Sequence, residues 1–71
     1  MRIRHGFVMD IDGDWWGLRF VKMIGMHRCV DDEDKPYYEV KITLQNDDSY
    51  VLDEFTTVEE ATDAIEKMMG A

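Results

Sequence analysis

The sequence predicts an α+β domain, a four-stranded antiparallel meander with one C-terminal α-helix packed on one face. Three observations carry that expectation. Up to Phe55, apolar residues alternate with polar ones in runs separated by turn residues, the mark of half-buried strands. After Thr57 the period changes to three and four residues, the mark of an amphipathic helix. The length, 71 residues, suits one small core, so residues 1–71 are expected to form a single domain.

The first strand is drawn from Ile3, His5, Phe7, Met9 and Ile11 on one face, with Arg2, Arg4 and Asp10 on the other. Asp12-Gly13 follows, a dipeptide suited to the positive φ angles of a tight primed hairpin turn. In the second strand Trp16, Leu18 and Phe20 alternate with Trp15, Arg19 and Val21, and Gly25 is expected to mark a bulge before Met26, Arg28 and Val30. Asp31-Asp32-Glu33-Asp34-Lys35-Pro36 is a charged connection. The third strand is the clearest, with Tyr38, Val40, Ile42 and Leu44 opposed by Tyr37, Glu39, Lys41, Thr43 and Gln45.

Asn46-Asp47-Asp48-Ser49 has turn chemistry, and Tyr50, Val51, Leu52 and Phe55 make a short fourth strand. Val58, Ala61, Ile65 and Met68 form the helical stripe, and the helix is predicted over residues 58–69. Thr57 with Glu60 three residues on is a capping box, and Glu59 and Glu60 lie where the helix dipole favours anions. Lys67 and Gly70 supply the stop. The sheet face away from the helix is expected to carry Trp15, Tyr37, Val21 and Val51, to be buried against a second copy of the chain.

Charge is the feature that leans toward function. Sixteen Asp and Glu face eight Lys and Arg, a net charge of −8. The distribution is lopsided: residues 1–28 carry five basic and three acidic side chains, a net +2, and the remainder carry −10. Such a chain repels phosphates and lipid headgroups and attracts basic surfaces. One cysteine cannot close an internal disulfide, which suits a reducing, cytoplasmic setting. No window reaches the ~20 apolar residues of a membrane span, no signal-type h-region follows the N-terminus, and the chain reads as a complete small gene product.

Candidate chemistry is sparse. Phe7-Val8-Met9-Asp10-Ile11-Asp12-Gly13-Asp14 resembles the first motif of haloacid-dehalogenase-type phosphatases. That resemblance implies a nucleophilic Asp10 and an acid Asp12 on a far larger parallel sheet, so a turn is the expectation kept. Asp10, Asp12 and Asp14 also have the first spacing of an EF-hand, but Trp15 and Val21 stand where Gly and Glu are needed. His5, His27 and Cys29 are three soft ligands, one short of a structural zinc site. Ser49 has no evident triad partners, and no glycine-rich phosphate loop is present. No enzyme activity, cofactor or metal is expected.

Two binding classes follow. Asp31, Asp32, Glu33, Asp34, Asp47, Asp48, Asp53, Glu54, Glu59 and Glu60 form the candidate acidic contact surface for a basic protein, with Trp15, Trp16 and Tyr37 as candidate interface aromatics. In character the chain is similar to phage-encoded inhibitors such as anti-CRISPR proteins, whose carboxylates stand where nucleic-acid phosphates would sit. The ending Val40–Leu44, Tyr50–Leu52, then Thr57-Val58-Glu59-Glu60-Ala61 resembles that of many small bacterial and phage proteins, in which a strand pair leads into a T-x-E-E-A capped helix.

The alternative is a single-strand nucleic-acid module using Arg2, Arg4, Arg19, Lys22 and Arg28 beside the tryptophans, an order of elements that resembles Whirly-type domains. The net charge opposes it, so nucleic acid is not the expected partner. A homodimer with no separate activity is the third expectation.

Overall fold

The computed structural model describes residues 1–70. The class is α+β, with one C-terminal helix, but the strands form two three-stranded antiparallel sheets instead of one four-stranded sheet. The N-terminal sheet consists of β1 (Ile3–Arg4), β2 (Phe7–Met9) and β3 (Trp15–Gly17), in that order. A single 3-10 turn, Leu18–Phe20, leads to the second sheet: β4 (Val21–Val30), β5 (Pro36–Leu44) and β6 (Ser49–Phe55), again in chain order. The helix α1 spans Val58–Met69.

The departure from the expected first strand has a local cause. His5 and Gly6 both take positive φ, 51° and 80°, so the chain reverses in a two-residue primed turn that pairs Arg4 with Phe7. Continuous alternation across that turn is therefore broken. Val8 is fully buried and Phe7 faces outward, the opposite of the phase expected from sequence. The expected second strand divides in the same way, because the 3-10 turn separates Trp15–Gly17 from β4 and leaves Phe20 exposed. Gly25 pairs regularly with Lys41, and the bulge lies instead between Val21 and Met23.

The third strand, the fourth strand and the helix stand as expected. Val40 and Ile42 are fully buried and Leu44 nearly so. Thr57 Oγ1 accepts from the Glu60 N–H at 3.2 Å, as in a capping box, and donates to Glu60 Oε1 at 3.0 Å, so the return bond comes from the Thr57 hydroxyl in place of its backbone N–H. Ala61, Ala64 and Met68 are the buried helix positions. Val58, placed on that stripe by its spacing, is exposed. Gly70 ends the helix in right-handed geometry, its N–H donating to the Glu66 carbonyl at 3.0 Å.

One core holds these layers together. Val8 from the N-terminal sheet joins Val40, Ile42, Leu44 and Leu52 from the second sheet and Ala61 and Met68 from α1. The helix and the N-terminal sheet thus share one face of β4–β6. The join is also polar: the Ile11 N–H donates to the Val51 carbonyl at 2.9 Å.

Candidate functional site

Three of the four hairpin connections share one backbone design. In each, the residue at position one donates its N–H to the carbonyl of position five and accepts the N–H of position four on its own carbonyl. These loops are Asp10–Asp14, Asp31–Lys35 and Leu44–Asp48, and position four has positive φ in all of them: Gly13 (95°), Asp34 (61°) and Asp47 (72°). This is a type I turn closed by a left-handed residue in a G1 bulge. Asp12-Gly13 is accordingly part of a three-residue loop, not of the two-residue primed turn expected.

The first loop builds the N-terminal surface. Asp10 Oδ1 accepts the N–H groups of Asp12 and Asp14, both at 2.9 Å, and Oδ2 accepts the indole N–H of Trp16 at 2.8 Å. Asp10 is only 3% exposed, although the alternation placed it on the solvent face. Burial pushes its carboxyl pKa up, but the bonds from Trp16, Asp14, Asp12 and Gly13 outweigh burial and hold it below the ordinary value of 3.8. Trp16, so held, stacks on Tyr50 with ring centroids 4.2 Å apart. It is turned away from the contact role expected of it, and Trp15 faces out.

Register places Ile3, Val8 and Trp16 toward the core and Arg4, Phe7, Met9, Trp15 and Gly17 on the outer face. Arg2 lies across from Met9, whose N–H donates to the Arg2 carbonyl at 3.0 Å, and shares that face two residues from Arg4. Gly17 is covered by Phe20, for a Cβ built there would lie 3.1 Å from its ring and 3.7 Å from Phe7. The Arg19 guanidinium sits 4.9 Å from the centre of the Phe20 ring. Arg4, His5, Phe7 and Trp15 line a shallow cavity of about 350 Å³ on this face.

The acidic residues divide. Asp31–Asp34, Glu54, Glu59 and Glu60 lie at the end of β4–β6 occupied by the β4–β5 loop and the helix start, whereas Asp47 and Asp48 are at the opposite end. Several are committed within the molecule. Asp31 Oδ1 accepts the N–H groups of Glu33 (2.8 Å) and Lys35 (2.9 Å). Glu60 accepts from Thr56 and Thr57, and Asp47 pairs with Lys22. Asp53 Oδ2 receives the Met1 amino group at 2.7 Å. Burial raises the Asp53 pKa, but that bond and the Glu54 N–H outweigh it and hold the carboxyl below its ordinary value.

A hollow of about 550 Å³ opens at the crowded end, lined by Val30, Asp31, Asp32, Tyr37, Glu54 and Phe55, with Thr56 beside them. Glu39 and Glu54 are direct cross-strand partners, a like-charge juxtaposition offset at Glu39 by Lys41, whose Nζ lies 3.8 Å from Glu39 Oε1. The Tyr37 hydroxyl has its pKa raised, first by Cys29, its cross-strand partner, then by burial, and then by Glu39 and Glu54. Tyr37 is half-buried there.

His5 occupies the primed turn while His27 and Cys29 are on β4, and among the described residues no three His, Cys, Asp or Glu side chains are grouped to hold a metal ion. No helix among the described residues is long and apolar enough to cross a membrane. Comparison with protein families, curated proteins and solved structures finds no match to this chain.

Alternation in the sequence missed Asp10 as a buried anchor and Phe7 and Phe20 as surface aromatics. The His5-Gly6 dipeptide was the available signal for the first reversal. No signal in the sequence foretold the 3-10 turn that turns Phe20 outward.

Proposed function

We propose that this chain is a non-enzymatic binding module whose acid-lined end engages a basic surface of another protein, in the manner of a small phage-type inhibitor occupying a nucleic-acid-binding groove. The observation that carries this is the hollow at the end of the sheet, whose lining combines the apolar side chains of Val30, Tyr37 and Phe55 with the carboxylates of Asp31, Asp32 and Glu54. Lysine and arginine are amphipathic, so an alkyl stem can lie against the apolar lining while its cationic head meets a carboxylate. Glu39, across from Glu54, already has Lys41 within 3.8 Å, so the carboxylates left to meet a bound cation in the hollow are Asp31, Asp32 and Glu54. Association is expected to be fast and to weaken with salt.

The test is a titration of the ¹⁵N-labelled protein with octa-arginine, followed by amide shifts. Shifts centred on Tyr37, Glu54 and Phe55, lost in Asp32→Lys/Glu54→Lys, support the proposal. Shifts of equal size around Asp47 and Asp48 would reduce it to unspecific charge attraction and sink it.

A homodimer is a second reading, favoured by β4. That ten-residue strand pairs on one side with β5, lies at the sheet edge, and exposes Met23, Met26 and Val30. Light scattering across a concentration series tests it, and a monomer at every concentration would end it.

A further inference from the structure

The outer face of the N-terminal sheet is a second surface, distinct in chemistry from the acid-lined end. Phe7, Trp15 and Phe20 are 46%, 43% and 52% exposed, an unusual concentration of aromatic rings on so small a domain. Phe20 and Phe7 both approach Gly17, where a side chain would come within 3.1 Å of the Phe20 ring and 3.7 Å of the Phe7 ring. Trp15 is beside them on the same face because its neighbour Trp16 is committed inward to Asp10 and Tyr50.

Arginines border these rings. Arg4 lies in β1, Arg2 precedes that strand, and the Arg19 guanidinium lies over the Phe20 ring. None of the three has a carboxylate partner among the described residues. Asp12 and Asp14 lie in the loop at the Trp15 end, Asp10 is buried and fully bonded, and Asp53, which lines a cavity with Arg2, receives the Met1 amino group.

We infer that this face binds single-stranded nucleic acid, with bases stacked on Phe7, Trp15 and Phe20 and the backbone phosphates held by Arg2, Arg4 and Arg19. Bases offer flat π-faces that stack on aromatic rings without regard to sequence, and the guanidinium groups match phosphate geometry. Charge complementarity selects this occupant over an acid-poor peptide, because residues 1–28 carry a local net charge of +2. The exposed strand face also favours single strands over duplex, whose bases are not free to stack. The molecule's overall charge of −8 sets the terms of the interaction, making it short-ranged and visible at low ionic strength.

The experiment is fluorescence anisotropy with labelled dT20 and rU20 at 20 mM salt, using the full chain. Saturable binding of either strand is expected, and the two arms report whether the sugar matters. Arg4→Glu/Arg19→Glu and Trp15→Ala/Phe20→Ala are each expected to weaken it at least tenfold. Circular dichroism of each variant checks that the fold is kept, and the exposed arginine pair guards against loss of folding in the aromatic pair. The slope of log affinity against log salt should be about −2, as three phosphate contacts on a single strand require. Asp32→Lys/Glu54→Lys, which damages the other surface, should leave binding intact or strengthen it.

Absence of binding at 100 µM protein would overturn the inference. So would affinity that survives loss of the aromatic pair and is matched by poly-glutamate, since that would be contact with any polyanion. Retention of a second copy or a protein in place of the oligonucleotides, with no competition from dT20, would assign the face to a protein partner and overturn it equally.

Discussion

The loops Asp10–Asp14 and Asp31–Lys35 are the same structure used for two purposes. Both begin with an aspartate whose Oδ1 caps the N–H groups two and four residues on, and both close with a left-handed residue at position four. They differ in what lies against them. Asp10 is buried and its second oxygen takes the Trp16 indole, so the loop fastens one sheet to the other. Asp31 is exposed, its other oxygen forms no hydrogen bond among the described residues, and its loop borders the acid-lined hollow. An Asx-type loop is therefore neutral scaffolding, and burial decides whether its carboxylate becomes an anchor or part of a contact surface.

The sharpest way to break this comparison is to remove the two carboxylates in turn. Asp10→Ala strands the Trp16 indole and two backbone N–H groups in a buried site, at a cost of about 3 kcal/mol. In a domain of this size that lowers the melting temperature by roughly 12–24 °C, and the Trp16–Tyr50 stack should loosen, seen in near-ultraviolet circular dichroism. Asp31→Ala should cost no more than about 1 kcal/mol, since water replaces its bonds. Equal losses in the two variants would show that the loop, and not its burial, carries the stability.

Acid sharpens the same point. The folded Asp10 carboxyl is held below its ordinary value of 3.8, so its contribution is complete above that pH and is lost as the pH falls through the folded value. Asp53, shifted in the same direction, adds a loss of the same sign. Acid unfolding followed by tryptophan fluorescence should therefore steepen below pH 4 in the native chain. Asp10→Asn should flatten much of that dependence, whereas Asp31→Asn should leave the curve unchanged.

Legibility in the sequence follows the same divide between local and non-local causes. The helix from Val58 to Met69 and its capping box were legible because every cue lies within four residues. The strand at Tyr38–Leu44 was legible because it is central, paired on both sides, and alternates without interruption. The N-terminal half was not. Its alternation continues through His5-Gly6, where two positive φ angles reverse the chain and invert which residues face the core. The acidic residues were legible as composition only, since Asp53 and Asp47 are drawn off by partners far along the chain, Met1 and Lys22, that spacing does not reveal.

The next effect in size concerns position four of the two loops. Gly13 and Asp34 occupy the same left-handed region. A Cβ at Gly13 meets no atom within 4 Å, so Gly13→Ala isolates backbone strain from crowding. Left-handed geometry costs an L-residue about 1–2 kcal/mol, and denaturant unfolding should show a loss of that order with an unchanged slope. A loss well below that range would mean that the loop relaxes out of its left-handed conformation, a change visible in the Asp12 and Gly13 amide shifts.

The smallest expected effect is the converse, Asp34→Gly, and its sign is the informative part. Glycine removes the strain at φ 61° and one carboxylate from a run in which Asp31, Asp32 and Glu33 already repel one another. Against this, glycine gives the unfolded chain more freedom, which by itself lowers stability by roughly 0.5–1 kcal/mol. The two backbone contributions nearly offset, because aspartate tolerates the left-handed region better than most residues. Relief of charge repulsion then decides the outcome. A gain of a few tenths of a kcal/mol at low salt is expected, shrinking as salt screens the remaining acids. If the gain persists undiminished in 0.5 M salt, the strain at Asp34 exceeds its charge cost. The acidic loop would then owe its conformation to Asp31 and its two N–H bonds alone, as the first loop does before Trp16 is added.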